Sequence, residues 1–187
     1  MISTTDFRKG LKIEIDNEPY VIVEFQHVKP GKGGAFVRTK IKHMISGRVL
    51  DPTFRSGDKV GKPDLESVSA QFLYADGEDY HFMNTSNYEQ IPMPRESLGD
   101  TTKFLKEEMQ VDLLIYNGQP INVELPNFVE LLVTQADPGL KGDTASGAQK
   151  PVTMETGLQV NVPLFINEGD ILKIDTRSSS YSEKVNK

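Results

Sequence analysis

Two strand-like stretches, Tyr20 to Phe25 and Ala35 to Lys42, flank Pro30-Gly31-Lys32-Gly33-Gly34, which is turn material at every position. The flanks are enriched in β-branched and aromatic residues or alternate apolar with polar ones, so this part of the chain reads as a long β-hairpin. Pro30 presets φ, and Gly31 is expected to take the positive φ that a type II turn requires at its third position. Lys32 then stands at the apex. The glycines around it remove side chains that would block approach to a second backbone. A strand pair of about eight residues projects such a tip roughly 26 Å, at about 3.3 Å per residue. A turn that merely keeps a sheet edge soluble with lysine accounts for many such loops, and what sets this one apart is its charge.

From Phe25 to Leu50 there are six basic residues, Lys29, Lys32, Arg38, Lys40, Lys42 and Arg48, and no acid. Net charge over all 187 residues is −6, which by itself argues against a nucleic-acid partner, since phosphate binding rests on Lys and Arg. The average hides an asymmetry. Residues 1–63 hold twelve Lys/Arg against seven Asp/Glu, a balance of +5, which leaves nine against twenty, or −11, for residues 64–187. The acid-free hairpin therefore points to an anionic partner.

The same punctuation organises the rest of the chain as an all-β protein. Leu11, Ile13 and Ile15 alternate with charged residues. Short strands near Arg48-Val49-Leu50 and Pro52-Thr53-Phe54 complete a first domain over residues 1–63, with Gly61-Lys62-Pro63 as a linker. In residues 64–127, strands at Val68 to Ala75 and Asp79 to Asn84 join through Asp76-Gly77, a strong hairpin signal. A strand near Tyr88 to Ile91 follows. Leu98, Leu105 and Met109 fall at helical spacing after Gly99, so a helix capped by Asp100 is expected through Met109. Val111 to Tyr116 and Ile121 to Leu125 flank Asn117-Gly118. Three strands, a helix and two strands is the order of an OB-fold barrel. In residues 128–187, strands are expected at Phe128 to Thr134, Leu158 to Phe165 and Ile171 to Asp175, with a long Gly-rich loop over residues 137–148 and a frayed polar tail beyond Arg177.

Enzyme templates fail in turn. The chain has no cysteine, hence no thiol nucleophile, disulfide or thiolate zinc site. Neither G-x-S-x-G nor H-E-x-x-H occurs, and the Gly-Lys pairs at Gly31-Lys32 and Gly61-Lys62 lack the Ser or Thr of a phosphate-binding loop. His27, His43 and His81 show no metal-ligand spacing and read as packing or surface residues. No enzymatic activity, metal or cofactor is expected. Without an apolar run of about 20 residues or a leader-like amino terminus, the chain reads as a cytoplasmic protein with no membrane partner. Barrel order alone also suits a single-strand RNA-binding module, but such modules stack bases on exposed aromatic residues, and the basic hairpin offers only Phe36.

Lys29-Pro30-Gly31-Lys32-Gly33 followed by Ala35-Phe36-Val37, with Gly142-Asp143-Thr144 and Gly157-Leu158-Gln159-Val160-Asn161-Val162-Pro163, resembles the bacterial elongation factor P family over essentially the whole chain. The first two domains also resemble the hypusine-bearing archaeal and eukaryotic counterpart, which lacks a third. The resemblance implies a KOW-type SH3-like barrel followed by two OB-folds, in an L that imitates the outline of tRNA, and a monomer. It further implies that the ribosome and its rRNA are bound beside peptidyl-tRNA and that stalling at consecutive prolines is relieved. Lys32 would reach the peptidyl-transferase centre carrying a β-lysyl or aminopentanol group installed by a modifying enzyme. Pro30, Gly31, Gly33 and Gly34 would form its loop, and Gly142, Asp143 and Thr144 a loop reading the exit-site region. Lys29, Arg38, Lys40 and Lys42 are then expected at RNA phosphates, where they position the domain without reading sequence.

Overall fold

The computed structural model describes residues 1–139 and 148–185. The described chain is all-β, and its contacts divide it into two compact units, Met1–Ser67 with Leu114–Asn122, and Val68–Leu113 with Val123–Lys187.

In the first unit, strands β1 (Ile2–Ser3), β2 (Lys12–Ile15), β3 (Glu18–Val28), β4 (Phe36–His43), β5 (Val49–Leu50), β6 (Thr53–Arg55) and β7 (Lys59–Val60) follow in order. They form an antiparallel sheet in the order β2-β3-β4-β5, with β6 also on β4 and β1 paired with β7. Alternation decides what is buried. Val37, Thr39, Ile41 and His43 turn inward from β4, while Arg38 and Lys42 are exposed and Phe36 and Lys40 half-buried. Ile13, Ile22, Val37 and Ile41 close the core with Phe7, Tyr20 and Val60. Gly61 is pinned rather than free: its N–H donates to the Glu14 carbonyl at 3.0 Å and its carbonyl accepts from the Glu14 N–H at 2.9 Å. A Cβ there would stand 3.2 Å from Glu14 Cβ, so the close approach itself calls for glycine.

The next strands, β8 (Leu65–Ala75), β9 (Asp79–Asn84), β10 (Gln90–Pro94), β11 (Gln110–Tyr116) and β12 (Gln119–Glu124), form a sheet in the order β10-β9-β8-β11-β12. The expected strand–helix order holds, but the helix does not lie where its spacing put it. A single turn, α1 (Arg95–Leu98), begins after Pro94 and ends at Gly99, whose φ of 53° ends it, and a 3₁₀ segment over Gly99–Lys103 follows. Asp100 lies within that segment and caps nothing. The β-branched pair Thr101-Thr102 and the positive φ of Glu108, at 69°, disfavour the continuous helix that Leu105 and Met109 suggested. Those apolar residues are inward-facing nonetheless, with Leu98 and Leu105 buried and Met109 half-buried.

Leu114, Tyr116 and Ile121, at the β11–β12 turn, count with the first unit and are buried with Met44. The Tyr116 hydroxyl lies 2.9 Å from Glu14 Oε2 and 3.0 Å from the Asn17 carbonyl. Burial, and then the Glu14 carboxylate, push the Tyr116 phenol above its ordinary range.

The third sheet has β13 (Phe128–Ala136), β14 (Gln149–Met154), β15 (Gln159–Pro163), β16 (Ile171–Asp175) and β17 (Ser180–Lys184) in the order β15-β14-β13-β16-β17. Its core gathers Leu131, Met154, Val162, Ile166, Leu172 and Ile174, and Phe104 joins it. The tail expected to fray is strand β17: it pairs with β16, and Tyr181 packs on the core. Strand β14 was also unforeseen.

A candidate RNA-facing hairpin

Strands β3 and β4 run eleven and eight residues, and β3 continues past its last core residue, Ile22, into a stretch that is exposed from Glu24 to His27. Their register runs from Tyr20 opposite His43 to Val28 opposite Phe36, with an irregularity between Ile22 and Glu24. Beyond Val28 and Phe36 the ladder ends, and residues 29–35 form the tip. Lys29 through Gly34 are exposed. The positive φ falls on Gly33, at 105°, and not on Gly31 as expected. A loop of this length spreads the reversal over several bends instead of one two-residue turn, so the left-handed position moves past Lys32.

A Cβ built on Gly31, Gly33 or Gly34 meets nothing within 4 Å. The protein's own packing therefore demands no glycine at 31 or 34, and their small size leaves room for something outside the chain. Lys32 has no hydrogen-bond or ion-pair partner among the described residues.

Alternation aligns the outward side chains of β4, with Phe36, Arg38, Lys40 and Lys42 on one face. The Arg38 guanidinium lies over the Phe36 ring, 5.4 Å from its centroid. Gln26 stands opposite Arg38 on β3, and Thr53 opposite it on β6. Lys40 lies opposite Glu24, with Nζ to Oε2 at 3.8 Å. The stretch from Phe25 to Leu50 is thus acid-free in sequence but not in space, because Glu24, just outside it, pairs across the ladder with Lys40, and Asp51 lies between β5 and β6, both of which pair with β4. Both line an open cleft of about 690 Å³ with Lys9, Phe25, Gln26, Arg38, Lys40 and Thr53. Sequence reading missed this cleft. Its only signal was the period-two alternation of β4, and its walls come from separate strands. Phe25, which also lines the cleft, makes an exposed edge-to-face pair with His27, with centroids 5.7 Å apart.

The other two histidines serve packing. His43 Nδ1 lies 2.9 Å from the donating Ser46 N–H, and His81 stacks on Tyr74 with Nε2 2.8 Å from Asp76 Oδ2. The Asp79 N–H, and then His81, hold the Asp76 carboxyl below its ordinary range. The structure brings Lys29, Lys32, Arg38, Lys40 and Lys42 onto one hairpin, whereas Gly142, Asp143 and Thr144 lie outside the described residues.

Comparison with known proteins gives the same reading along the whole chain. Residues 3–60 match the model of the elongation factor P KOW-like domain, residues 65–123 its OB domain, and residues 129–184 the elongation factor P C-terminal domain. An elongation factor P of Natranaerobius thermophilus is 57% identical over 185 residues, covering 99% of this chain and 98% of that protein. That of Maridesulfovibrio salexigens is 60% identical over 181 residues, covering 97% of each. Among solved structures, eukaryotic translation initiation factor 5A from Methanococcus jannaschii shares the fold at a TM-score of 0.53 and 23% identity, over 64% of this chain and 88% of that one. The fold is accordingly a KOW-like domain followed by two OB-folds. With three successive domain models matched and relatives above half identity end to end, the chain belongs to the elongation factor P family of translation elongation factors.

Proposed function

We propose that this protein binds the ribosome beside peptidyl-tRNA and stimulates peptide-bond formation where consecutive prolines stall it, with Lys32 as the acting group. One observation carries the reading: at the end of the β3–β4 strand pair Lys32 stands without a partner among the described residues, between glycines around which an added Cβ meets nothing.

Proline is a poor acceptor because its ring constrains the attacking nitrogen, and proline in the nascent chain restricts the ester under attack. A cation on a stiff hairpin, hydrogen-bonded to the backbone of the tRNA end, holds the peptidyl ester in an attack-competent pose. Its contribution is orientation. The bond-forming chemistry belongs to the ribosome, so the protein is a factor and not an enzyme. Lys29, Arg38, Lys40 and Lys42 hold the domain against phosphates. A β-lysyl or aminopentanol group on Lys32 lengthens its reach and adds donors, which makes a modifying enzyme a second partner. All of this takes place in the cytoplasm. Among the described residues no helix is long and apolar enough to cross a membrane.

The test is Lys32→Ala in a reconstituted translation assay on a message encoding consecutive prolines. The side chain is exposed, so thermal melting is expected to stay unchanged while relief of stalling is lost. Full relief by the variant would overturn the reading. Intact mass and peptide mapping of residues 29–38 from the native host establish the chemical form of Lys32.

A further inference from the structure

We infer that the outer face of the β3–β4 hairpin carries a subsite for one unpaired nucleotide, selective for a base with an exocyclic amino group. The inference rests on the reading that this hairpin meets RNA and names what one part of it recognises.

The cleft of about 690 Å³ falls within the range of small-ligand sites, about 300–1,000 Å³. Its floor is a cross-strand row of Gln26, Arg38 and Thr53, with Glu24 and Lys40 in the next row toward the core. Arg38 is held in place by the Phe36 ring beneath it. A guanidinium so fixed presents a flat cation, on which an unstacked base can lie.

The acids are the informative members. A groove built only to follow phosphates has no use for carboxylates, which repel them. Yet Glu24 and Asp51 line this one beside three cations, Lys9, Arg38 and Lys40. Carboxylates accept hydrogen bonds from amino groups, such as N4 of cytosine or N2 of guanine. Uracil offers carbonyl oxygens there, and a carboxylate repels them. Lys40 is the phosphate-binding group of the subsite. Its pairing with Glu24, at 3.8 Å between side chains that are 43% and 71% exposed, is loose and solvated, so an entering nucleotide displaces it at little cost.

The experiment is a titration of the full-length protein with CMP, GMP and UMP, followed by the backbone amide spectrum. Shifts are expected at residues 24–26, 38–40 and 51–53, with CMP and GMP about tenfold tighter than UMP. Arg38→Lys keeps the charge and loses the plane, and is expected to weaken CMP about tenfold, the effect of removing one stacking partner. Glu24→Gln should bring CMP and UMP close to parity. Lys32→Ala should titrate as the wild type does, so loss of the polyproline reading and loss of this one are separately visible. Equal affinity for UMP, shifts centred elsewhere, an unaffected Arg38→Lys variant, or no saturable shift with millimolar nucleotide would each overturn the inference.

Discussion

At the tip, the three glycines divide into two kinds. Gly33 has φ of 105° and needs to be glycine for its backbone; Gly31 is not left-handed, and a methyl group there meets nothing. Gly31→Ala is therefore expected to leave thermal melting unchanged and yet reduce relief of polyproline stalling, because the added methyl would obstruct only a partner. Gly33→Ala strains the loop by about 1–2 kcal/mol wherever its conformation is kept, so its effect mixes backbone with contact. Undiminished activity of Gly31→Ala would show that the tip enters no crevice that narrow. Sequence identified the cluster and its apex, since Pro and Gly are local signals. It misassigned the left-handed residue because that depends on where the ladder stops, and Val28 opposite Phe36 is a pairing fact with no local signature.

Elements with an amphipathic period were legible and the others were not. Asp79–Asn84 and Ile171–Asp175 match their expected limits, since each alternates and is bounded by turn residues. Strand β17 was missed because Ser180-Tyr181-Ser182-Glu183-Lys184 is polar on both sides, as a sheet edge can be when only one neighbour must be satisfied. The register shows what it does. It covers β16 through Leu172 opposite Lys184 and Asp175 opposite Ser180, and brings Tyr181 onto the core. A chain ending at Ser179 leaves β16 as a bare edge. Its third sheet is expected to melt about 5 °C lower or more, by the scaling of about 2–4 °C per kcal/mol for proteins of this size. Calorimetry that finds the transition unmoved would mean that β17 only rests on the sheet. The misplaced helix teaches the complementary lesson. Leu98, Leu105 and Met109 are inward-facing as their spacing implied, but a single turn, a 3₁₀ segment and an irregular stretch place them there as well as a helix would.

For the molecule as a whole, a net charge of −6 and an RNA partner are compatible only because charge is segregated, with +5 in residues 1–63 against −11 in the remainder. Ribosome affinity should accordingly fall with salt, in proportion to the cations that displace counterions. With all six basic residues between Phe25 and Leu50 at the RNA backbone, one phosphate each, the log–log slope is roughly −4 with the single-strand coefficient of about 0.7 per phosphate. Lys42 faces outward on β4 and has no ion-pair partner among the described residues. Lys42→Ala should therefore lower the magnitude of the slope by about 0.7. Lys59, on β7 and away from the hairpin ladder, should leave it unchanged when replaced by Ala. Affinity for ribosomes measured between about 50 and 200 mM salt separates these cases. A slope near zero, or equal slopes for Lys42→Ala and the wild type, would show that this face of β4 does not meet phosphate, and the basic hairpin would then serve only to carry Lys32.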